Sequence, residues 1–561
     1  MKQVCIHQWC NQLFDVTDDD RRFLNMLSPV IGGVKYELPE PTLCPECRQQ
    51  RRFAFRNERH LYHRMCDKTG KKIISQYNHP DIKIYLNSEW WGDSWSALDY
   101  GRSFDFSRPF FEQFHEMQKD VPHLCVANDS SNMNSDYANQ TGYLKDCYLV
   151  FDSDYCEQSL YLQTGKHSIS SMDCLRLFHS ELCYECIDCA RCYRLLYSLH
   201  CENCSDGFFL RDCKNCKHCF GCHALRNKEY CMFNEQLTKE EYEKRVCAFQ
   251  LDTHAGLSHA KKEIDAWFLA QCVPLHHNIS VEESTGDFLV QTQRAMDCFD
   301  CNDIRDCRYC TNLSEDATDC MDYDVWGYHA QLLYEVTTSG YNTTRNLFCF
   351  DCWSDVSEVL YSESCFHSNN LFGCVGLKRN QYCIFNKQYT KEEYETLVPR
   401  IIHHMRQTGE WGEFFPVQNS LFDYNKSVAQ EYYTLEKQDV VARGWHWQDD
   451  LATDQFLGFD DVPPEAIHDV ADDITQKILH CSRTGKAYKI IPQELKFYRD
   501  MHIPIPRKCP DQRHRERMAQ RNPRKLFDRT CDKCFVAIRT TYAPDRPEKV
   551  LCEECYLKEV Y

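Results

Sequence analysis

Between Cys147 and Cys231 the chain carries fourteen cysteines, and every spacing between them is a multiple of three residues. The other positions in the same phase are small or apolar, with Lys228 as the exception. An α-helix repeats every 3.6 residues and a β-strand every 2 residues, so neither produces this pattern. A strict triplet over 85 residues predicts a mainly β fold, a β-solenoid-like cysteine ladder whose short coils stack like on like.

The cysteine ladder occurs twice, in copies that we call lap 1 (121–250) and lap 2 (251–407). The end of lap 1, Phe220-Gly221-Cys222, returns at the end of lap 2 as Phe372-Gly373-Cys374. Insertions separate the two copies, and the phase of lap 2 slips by one residue before Cys365. The duplication predicts two stretches of solenoid that follow each other along the chain.

Each lap closes with the same sequence, Thr-Lys-Glu-Glu, at 238–241 and at 390–393. A threonine followed three residues later by a glutamate is a capping box, in which each side chain binds the other residue's backbone amide. The end of a solenoid exposes an apolar face that needs a cover. The two boxes therefore predict a capping helix at the end of each lap.

The two termini are related to each other as well. Cys44–Arg48 is matched by Cys509–Arg513, and Cys66–Lys68 by Cys531–Lys533, both at an offset of 465 residues. Each terminus is therefore predicted to be a tandem of two ribbon-like units. The N-terminal tandem spans 1–120 and ends in an aromatic-rich helix, and the C-terminal tandem spans 477–561.

The segment 408–476, between lap 2 and the C-terminal tandem, is predicted to be an extended acidic linker. Its part 444–476 contains nine acidic residues and no lysine or arginine. A run with one sign of charge and few compensating cations is typical of a solvated connection.

Cysteine pairs at the outer ribbon units predict two zinc ions. A structural zinc takes four ligands in a tetrahedron, and two cysteine knuckles on adjacent hairpins supply them. The spacing is regular in the C-terminal unit and looser in the N-terminal one, where His7 is a possible substitute ligand. The inner units have lost cysteines at Thr69, Thr484 and Gln512. The predicted Zn²⁺ ligands are Cys5, Cys10, Cys44 and Cys47 for one ion, and Cys531, Cys534, Cys552 and Cys555 for the other.

The runs Cys183–Cys192 and Cys213–Cys222 leave two interpretations open. Iron–sulfur ferredoxins begin with a similar run, but there the last spacing is three residues and a proline follows. The triplet phase instead favours buried thiols that act as small hydrophobic side chains. On that interpretation a serine at such a position would carry an unsatisfied hydroxyl. The alternative is an iron–sulfur or redox protein.

The sequence offers little sign of catalysis or of a membrane. The first ten residues have no apolar core for a signal peptide, and no stretch approaches the roughly 18 apolar residues of a membrane span. We therefore expect a cytoplasmic protein whose 38 cysteines are thiols or metal ligands. No nucleotide-binding loop, nucleophile elbow or paired-histidine metalloprotease motif is visible, so we predict neither an enzyme nor a small-molecule substrate. The pairs His276-His277 and His403-His404 lack partners at ligand spacing and are expected to be ordinary surface or core histidines.

Arginine is concentrated in two matching segments of a chain whose net charge is −19. Residues 48–72 hold nine lysines and arginines against two acids, and 507–529 hold nine against three. Spacings of four, four and three residues place the first set on one helical face. Guanidinium groups suit phosphate oxygens, so these faces predict contact with RNA or a ribonucleoprotein. The predicted nucleic-acid-binding residues are Arg48, Arg52, Arg56, Arg59, Arg513, Arg517, Arg521 and Arg524.

One alternative to RNA contact concerns the arginines themselves. The arginines can instead pair with the protein's own acids, which are plentiful. The chain would then be a protein–protein interaction scaffold without nucleic acid.

Several motifs together resemble an uncharacterised cysteine-rich zinc-ribbon protein family of candidate-phylum bacteria. They are Arg56–Arg59, Trp90-Trp91, Phe104–Phe111, the two lap ends that read Cys-x-Phe-Asn, and Glu410–Pro416. The resemblance covers nearly the whole chain, and it implies a bacterial cytoplasmic protein that binds zinc, with no established activity. The chain departs from a full set of knuckles at Thr484 and Gln512.

Overall fold

The computed structural model describes residues 2–449 and 462–560. It is mainly β, with a β-solenoid of about 21 coils and few helices, so the predicted fold class is confirmed. In lap 1 successive coils are 12 residues apart and their strands pair in parallel, as Gln163 does with Leu175. Cys147 likewise donates its backbone N–H to Ser135 Oγ one coil earlier. Because the pattern repeats every three residues, a coil of 12 residues has four sides of three residues each.

The triplet phase arises from the backbone conformation at the corners of each coil. The third residue of each triplet has a positive φ, for example 52° at Leu149, 48° at Asp152 and 54° at Tyr155. This left-handed region is one that L-residues other than Gly, Asn and Asp seldom adopt, and it turns the chain onto the next side. The residue two positions earlier, such as Cys147 or Val150, then points into the coil and is buried. A small or apolar residue is therefore needed at every third position.

The strands of lap 1 form two five-stranded sheets, and the second ends in an antiparallel strand. Strands of the first sheet are Ala138–Gly142, Val150–Asp154, Gln163–Lys166, Leu175–Phe178 and Ile187–Ala190. Strands of the second sheet are Tyr193–Leu196, Ser205–Phe208, Lys217–Phe220, Glu229–Met232 and Glu235–Gln236.

Lap 2 forms a four-stranded and a ten-stranded sheet. The first contains Ile279–Glu282, Val290–Gln293, Ile304–Arg305 and Ala317–Thr318. The second contains Gly286–Asp287, Cys298–Phe299, Thr311–Ser314, Cys320–Gly327, Leu333–Ser339, Leu347–Phe350, Ser357–Leu360, Asn369–Phe372, Gln381–Ile384 and Lys387–Gln388.

Several coils of lap 2 are one residue longer than those of lap 1. Cys365 donates its backbone N–H to the sulfur of Cys352, 13 residues earlier. The extra residue sits at a corner, where two consecutive residues have positive φ, as at Glu315-Asp316, Tyr328-His329 and Ser354-Asp355. The sequence predicted one slip of phase, and the structure shows that one corner accepts the additional residue repeatedly.

Helices cover the lap ends and support the terminal units. Both predicted capping boxes are present, at the start of Lys239–Cys247 and of Lys391–Thr408. No helix in the described part of the chain is long and apolar enough to cross a membrane. The helices are α1 (Asp18–Leu27), α2 (Pro45–Phe53), α3 (Asn87–Trp91), α4 (Phe110–Asp120), α5 (Lys239–Cys247), α6 (His254–Phe268), α7 (Lys391–Thr408), α8 (Val428–Tyr432), α9 (Lys437–Ala442), α10 (Pro492–Asp500), α11 (Pro510–Met518) and α12 (Glu553–Val560).

The terminal units are built on short antiparallel hairpins. Units that lost their second knuckle cysteine keep the knuckle turn: Gly70 donates to the Cys66 carbonyl and Gly485 to the Cys481 carbonyl, both at 2.8 Å. Phe535 makes the same bond to Cys531, at 2.9 Å. The hairpin strands are Lys2–Val4 with Leu13–Asp15, Val30–Ile31 with Val34–Lys35, Tyr62–Met65 with Lys72–Ser75, Leu479–His480 with Ala487–Tyr488, and Phe527–Thr530 with Ala537–Thr540.

Two parallel strand pairs join the second unit of each tandem to the start of a lap. Ile84–Tyr85 pairs with His123–Leu124, before lap 1 begins its strands. Cys272–Pro274 pairs with Lys549–Leu551, before lap 2 begins its strands. The two tandems therefore occupy equivalent places along the solenoid.

The segment predicted as an extended acidic linker is folded over most of its described length. Trp411, Phe414 and Phe415 are buried against lap 2, because their large apolar surfaces are removed from water there. Short 3₁₀ helices follow at Val417–Asn419 and Tyr424–Lys426, and again at Ile467–Asp469 and Asp472–Gln476. Residues 450–461, the centre of the predicted linker, lie outside the described part of the chain.

The ladder thiols are hydrogen-bond donors as well as buried side chains. Cys192 Sγ lies 3.3 Å from the Ala190 carbonyl oxygen, two residues earlier. Serines in the same phase make the same bond: Ser180 Oγ donates to the Phe178 carbonyl and accepts from the Cys192 backbone N–H, at 2.9 and 3.0 Å. The expectation that a serine would be unsatisfied in the ladder is therefore wrong, since its hydroxyl finds both partners.

We predict that Cys192→Ser changes the free energy of unfolding by less than about 1 kcal/mol, because the hydroxyl can donate to the Ala190 carbonyl. Cys192→Phe should cost about 1–3 kcal/mol, because the coil interior has no room for the ring. Urea denaturation followed by circular dichroism compares the two variants, with metal content as the control. Equal losses in both variants would contradict the bonding role of this position.

Candidate metal centres

Four cysteines of the outer N-terminal unit converge on one point. Cys5 follows the strand Lys2–Val4, Cys10 lies in the turn after it, and Cys44 and Cys47 begin α2. The four sulfur atoms lie within 4.8 Å of one another, and the Cys10 and Cys44 sulfurs are 3.7 Å apart. Hydrogen bonding from Cys47, against the opposing effect of burial, lowers the pKa of Cys44 to about 6.

The outer C-terminal unit repeats this arrangement. Cys531 and Cys534 lie in the turn after the strand Phe527–Thr530, and Cys552 and Cys555 lie at the start of α12. The four sulfur atoms again lie within 4.8 Å of one another, with 3.6 Å between those of Cys534 and Cys552. Burial raises the pKa of Cys531, but backbone amides such as that of Cys552 outweigh it and lower the value to about 6.

The sulfur separations fit a tetrahedral metal better than a disulfide. With zinc–sulfur bonds of about 2.3 Å, ligands at the corners of a tetrahedron are about 3.8 Å apart. A disulfide needs about 2.05 Å between its sulfur atoms. Two four-cysteine groups that can hold metal ions are therefore present, and the eight predicted ligands are the residues that form them.

His7 does not belong to the N-terminal group, which consists of its four cysteines. Burial, with the nearby cations of Arg51 and Arg443, lowers the pKa of His7 to about 4. Its ring packs on Trp9, with 4.5 Å between centroids. The histidine thus packs beside the four-cysteine group without belonging to it.

The cysteine runs of lap 1 do not converge on a point. Consecutive members of Cys183–Cys192 lie on successive sides of a coil, and their sulfurs face backbone carbonyls such as Tyr184 O and Ile187 O. Among the described residues, no three of these sulfurs lie within 4.8 Å of one another. The geometry favours buried thiols over a cluster for both runs.

The arginines of the N-terminal tandem are buried against lap 2. Arg52, whose side chain is 0% exposed, lies 2.6 Å from Asp324 and 3.2 Å from both Asp322 and Glu335. Arg48 lies 2.7 Å from Asp322. Burying a charge is tolerated when it is paired, so this helix is held on lap 2 by fully desolvated ion pairs.

The C-terminal tandem repeats the arrangement on lap 1. Arg513 and Arg517 of α11 both contact Asp173, at 2.9 and 3.0 Å, and Arg517 also contacts Glu185 at 3.0 Å. Asp173 follows Met172 as Asp322 follows Met321, and Glu185 follows Tyr184 as Glu335 follows Tyr334. The two tandems therefore bind corresponding coils, each on the lap farther from it in sequence.

Two of the remaining predicted arginines, Arg56 and Arg521, contact both laps. Arg56 contacts Asp152 of lap 1 at 3.0 Å and donates to Thr338 of lap 2 at 2.6 Å. In the other half Arg521 contacts Asp188 and Asp300, and Arg524 also contacts Asp300. Burial opposes ionisation of Asp300, but these guanidinium groups and Arg176 hold the pKa of its carboxyl well below the ordinary value.

The predicted arginine faces are therefore not exposed. Arg59, the most accessible of the eight, has a side chain 10% exposed and lies near Glu431 and Asp511. The sequence indicated the helical spacing correctly for Arg48 and Arg52, but α2 ends at Phe53, and Arg56 and Arg59 follow it. Intramolecular pairing prevails because lap 1 and lap 2 present matching carboxylates.

The structure also gathers residues that the sequence did not connect. The ligand atoms of His200, Asp212 and His277 lie within 4.8 Å of one another, so His277 has partners that its spacing in the sequence did not reveal. His200 and Asp212 are separated by one 12-residue coil, a spacing that signals adjacency once the coil length is known. His277 comes from outside lap 1, and no local pattern places it there.

Comparison with known proteins adds little to these observations. No protein-family model matches this chain, and no curated protein matches it. A solved structure described as a "putative acetyltransferase" from Desulfovibrio desulfuricans G20 is matched at 10% identity, over 50% of this chain and 81% of that one, with a TM-score of 0.11. So poor a superposition supports no conclusion about fold or function.

We predict that Arg52→Met destabilises the protein by about 3–5 kcal/mol, because it leaves Asp322, Asp324 and Glu335 buried without their shared cation. The matched control is Arg22→Met, which removes an arginine whose side chain is 71% exposed and should leave the denaturation midpoint unchanged. Urea denaturation measures both. Equal stability of the two variants would show that the buried pairs do not hold the tandem on lap 2.

Proposed function

We propose that this chain is a zinc-stabilised, non-catalytic scaffold whose terminal tandems lock a two-lap solenoid. The observation that carries the proposal is the pair of four-cysteine groups, with sulfur separations of 3.7 and 3.6 Å. Four thiolates without an open position are typical of structural zinc, whereas catalytic zinc keeps a position for water or substrate. The likeness to a bacterial cytoplasmic zinc-ribbon family, noted from the sequence motifs, is consistent with this role and stays a prediction.

The metal groups and the ion pairs support the same role. Cys44 and Cys47 start α2, the helix that carries Arg48 and Arg52 onto lap 2. A zinc ion at this point would fix the start of the helix and thus the position of its arginines. Binding of zinc to sites that the unfolded chain lacks would add directly to the stability of the fold.

For a partner, we infer protein rather than RNA. The eight arginines that predicted RNA contact are paired with carboxylates inside the molecule, and the chain as a whole carries a net charge of −19. Solenoids present long surfaces that are suited to binding other proteins. We infer a scaffold for a protein partner, while contact with RNA remains an untested prediction.

Zinc content should fall by one ion per chain in Cys44→Ser and by one in Cys552→Ser, because each substitution removes a ligand from one four-cysteine group. The matched controls are Cys66→Ser and Cys481→Ser, in the units that lost their knuckles, and both should keep the zinc content of the wild type. Elemental analysis of the purified chains gives the numbers. Loss of zinc in the controls, or its retention in both site variants, would refute the proposed centres.

Fluorescence anisotropy with a short labelled single-stranded RNA should show no salt-dependent binding by the wild-type chain. The physical reason is that phosphate contacts require accessible cations, which counterion release would reveal as a steep loss of affinity with salt. Binding that weakens with salt would instead show that other cations of the surface contact RNA. That result would overturn the preference for a protein partner.

A further inference from the structure

A third group of metal-binding side chains lies where lap 1 meets the segment that leads into lap 2. His200 and Asp212 occupy the same corner of successive coils, both with a φ of 54°. His277 follows the strand Cys272–Pro274 and brings its Nε2 to 3.1 Å from Asp212 Oδ1. The Nδ1 atom of His200 lies 3.5 Å from the same oxygen. Two imidazoles and a carboxylate thus face one point.

Buried ring nitrogens at this point have no hydrogen-bond partner. Neither nitrogen of His277 makes a hydrogen bond, although the side chain is only 10% exposed. A buried polar group without an aligned hydrogen bond is costly, and a ligand that the protein itself does not supply would satisfy it. A metal ion bound between the rings would provide that ligand.

Surrounding groups orient the rings as metal ligands are usually oriented. Nδ1 of His277 faces Asp287, whose carboxylate lies 3.6 Å away, so that Nε2 is turned toward Asp212. The neighbouring His223 must donate from Nε2 to the Cys272 carbonyl, at 2.8 Å, because a carbonyl only accepts. Its Nδ1 makes no hydrogen bond and lies 3.8 Å from Asp212 Oδ2. A carboxylate or carbonyl behind a ligating imidazole is the common outer arrangement of metal sites.

The other half of the molecule shows that the fold itself does not need these histidines. His277 donates its backbone N–H to Asp287, as Ala127 does to Asn139, at 2.7 and 2.9 Å. His223 donates its backbone N–H to Asn234 at 3.0 Å. The corresponding residue there is Val375, which donates to Asn386 at 2.9 Å.

The same correspondence extends to the two coils that carry the group. In lap 1 Leu199 pairs with Arg211, and Arg211 with His223. In lap 2 Phe350 pairs with Glu363, and Glu363 with Val375, and these bridges occupy the corresponding places. The counterpart of Asp212 is therefore Ser364, and that of His200 is Asp351. The backbone is alike in the two halves, yet only one of them gathers two imidazoles around a carboxylate.

We propose that His200, Asp212 and His277 bind a divalent transition-metal ion such as Zn²⁺, which would tie two coils of lap 1 to the entry of lap 2. Imidazole and carboxylate ligands suit such ions, and three protein ligands leave one position open on the side of His223. This site is independent of the two four-cysteine groups in residues and in ligand type.

An internal ion pair without metal is the competing account. Burial alone lowers the pKa of His277, but the carboxylates of Asp212 and Asp287 raise it to about 10. The ring would then be an imidazolium held between two aspartates. The two accounts differ in one measurable quantity, the number of ions bound at saturating zinc.

The test uses the full chain, saturated with Zn²⁺, freed of excess by gel filtration and submitted to elemental analysis. The wild type should hold three ions. The double variant Asp212→Ser, His277→Ala, which installs the residues of the other half, should hold two and keep the circular dichroism of the wild type. His276→Ala, a change at the adjacent histidine, should still hold three. Two ions in the wild type, or three in the double variant, would overturn the proposal.

Substitution with Co²⁺ distinguishes this site from the four-cysteine groups by its absorption spectrum. The distinction holds even where a variant is less stable than the wild type. Cobalt bound by thiolates absorbs strongly by charge transfer from sulfur, and cobalt bound by nitrogen and oxygen does not. In Asp212→Ser, His277→Ala the charge-transfer absorption should be unchanged, while the weaker ligand-field absorption falls. If the cobalt-substituted wild type lacked the charge-transfer bands, the cysteine centres would be refuted and the third site would not. An unchanged ligand-field spectrum in the double variant would refute the third site alone.

Discussion

The solenoid depends on a left-handed backbone conformation at every third residue. For residues other than glycine this conformation costs roughly 1–2 kcal/mol, and lap 1 adopts it at Asp, Tyr, His and Leu alike. The cost is offset because each turn places the next strand in register with the coil below, so that every side of the coil gains parallel backbone hydrogen bonds. Hydrogen bonds inside the coil offset the cost further, because thiols and hydroxyls of the buried residues donate to carbonyls two residues earlier. Cysteine suits this position because it is small, apolar and able to donate weakly.

Buried charge pairs decide how the remaining segments sit on this frame. Arg52 and Arg517 are among the largest fully buried side chains of the described residues, and each lies between carboxylates that project from adjacent coils. A charge in the interior is tolerated only with its partners in place, so these pairs discriminate strongly against other positions of the tandems. Helix α2 of the N-terminal tandem is held on lap 2 and α11 of the C-terminal tandem on lap 1, while the second unit of each tandem pairs a strand with the nearer lap. The chain is thus closed on itself, and either terminal unit depends on the lap most distant from it in sequence.

Duplication left the two halves equal in backbone and unequal in chemistry. The matching hydrogen bonds of Ala127 and His277, and of Val375 and His223, show one framework used twice. On that framework one half carries alanine and valine where the other carries imidazoles beside Asp212. The inner ribbon units show the same freedom: Gly70 and Gly485 keep the knuckle turn although Thr69 and Thr484 have replaced a ligand. Backbone geometry persists through changes that remove or create a metal site.

Features that repeat locally could be predicted from the sequence alone. The triplet phase, the capping boxes of Thr238 and Thr390, and the ligands of both four-cysteine groups could be predicted because each depends on residues within one turn, one coil or one hairpin pair. The role of the arginines required the three-dimensional structure, since their spacing suits phosphate and carboxylate equally and the acids that Arg48, Arg52 and Arg517 meet lie more than a hundred residues away. The same holds for His277, which meets Asp212 through the packing of two segments. It holds too for the aromatic residues after Gly409, whose acidic surroundings suggested a linker but whose burial depends on the face that lap 2 offers them.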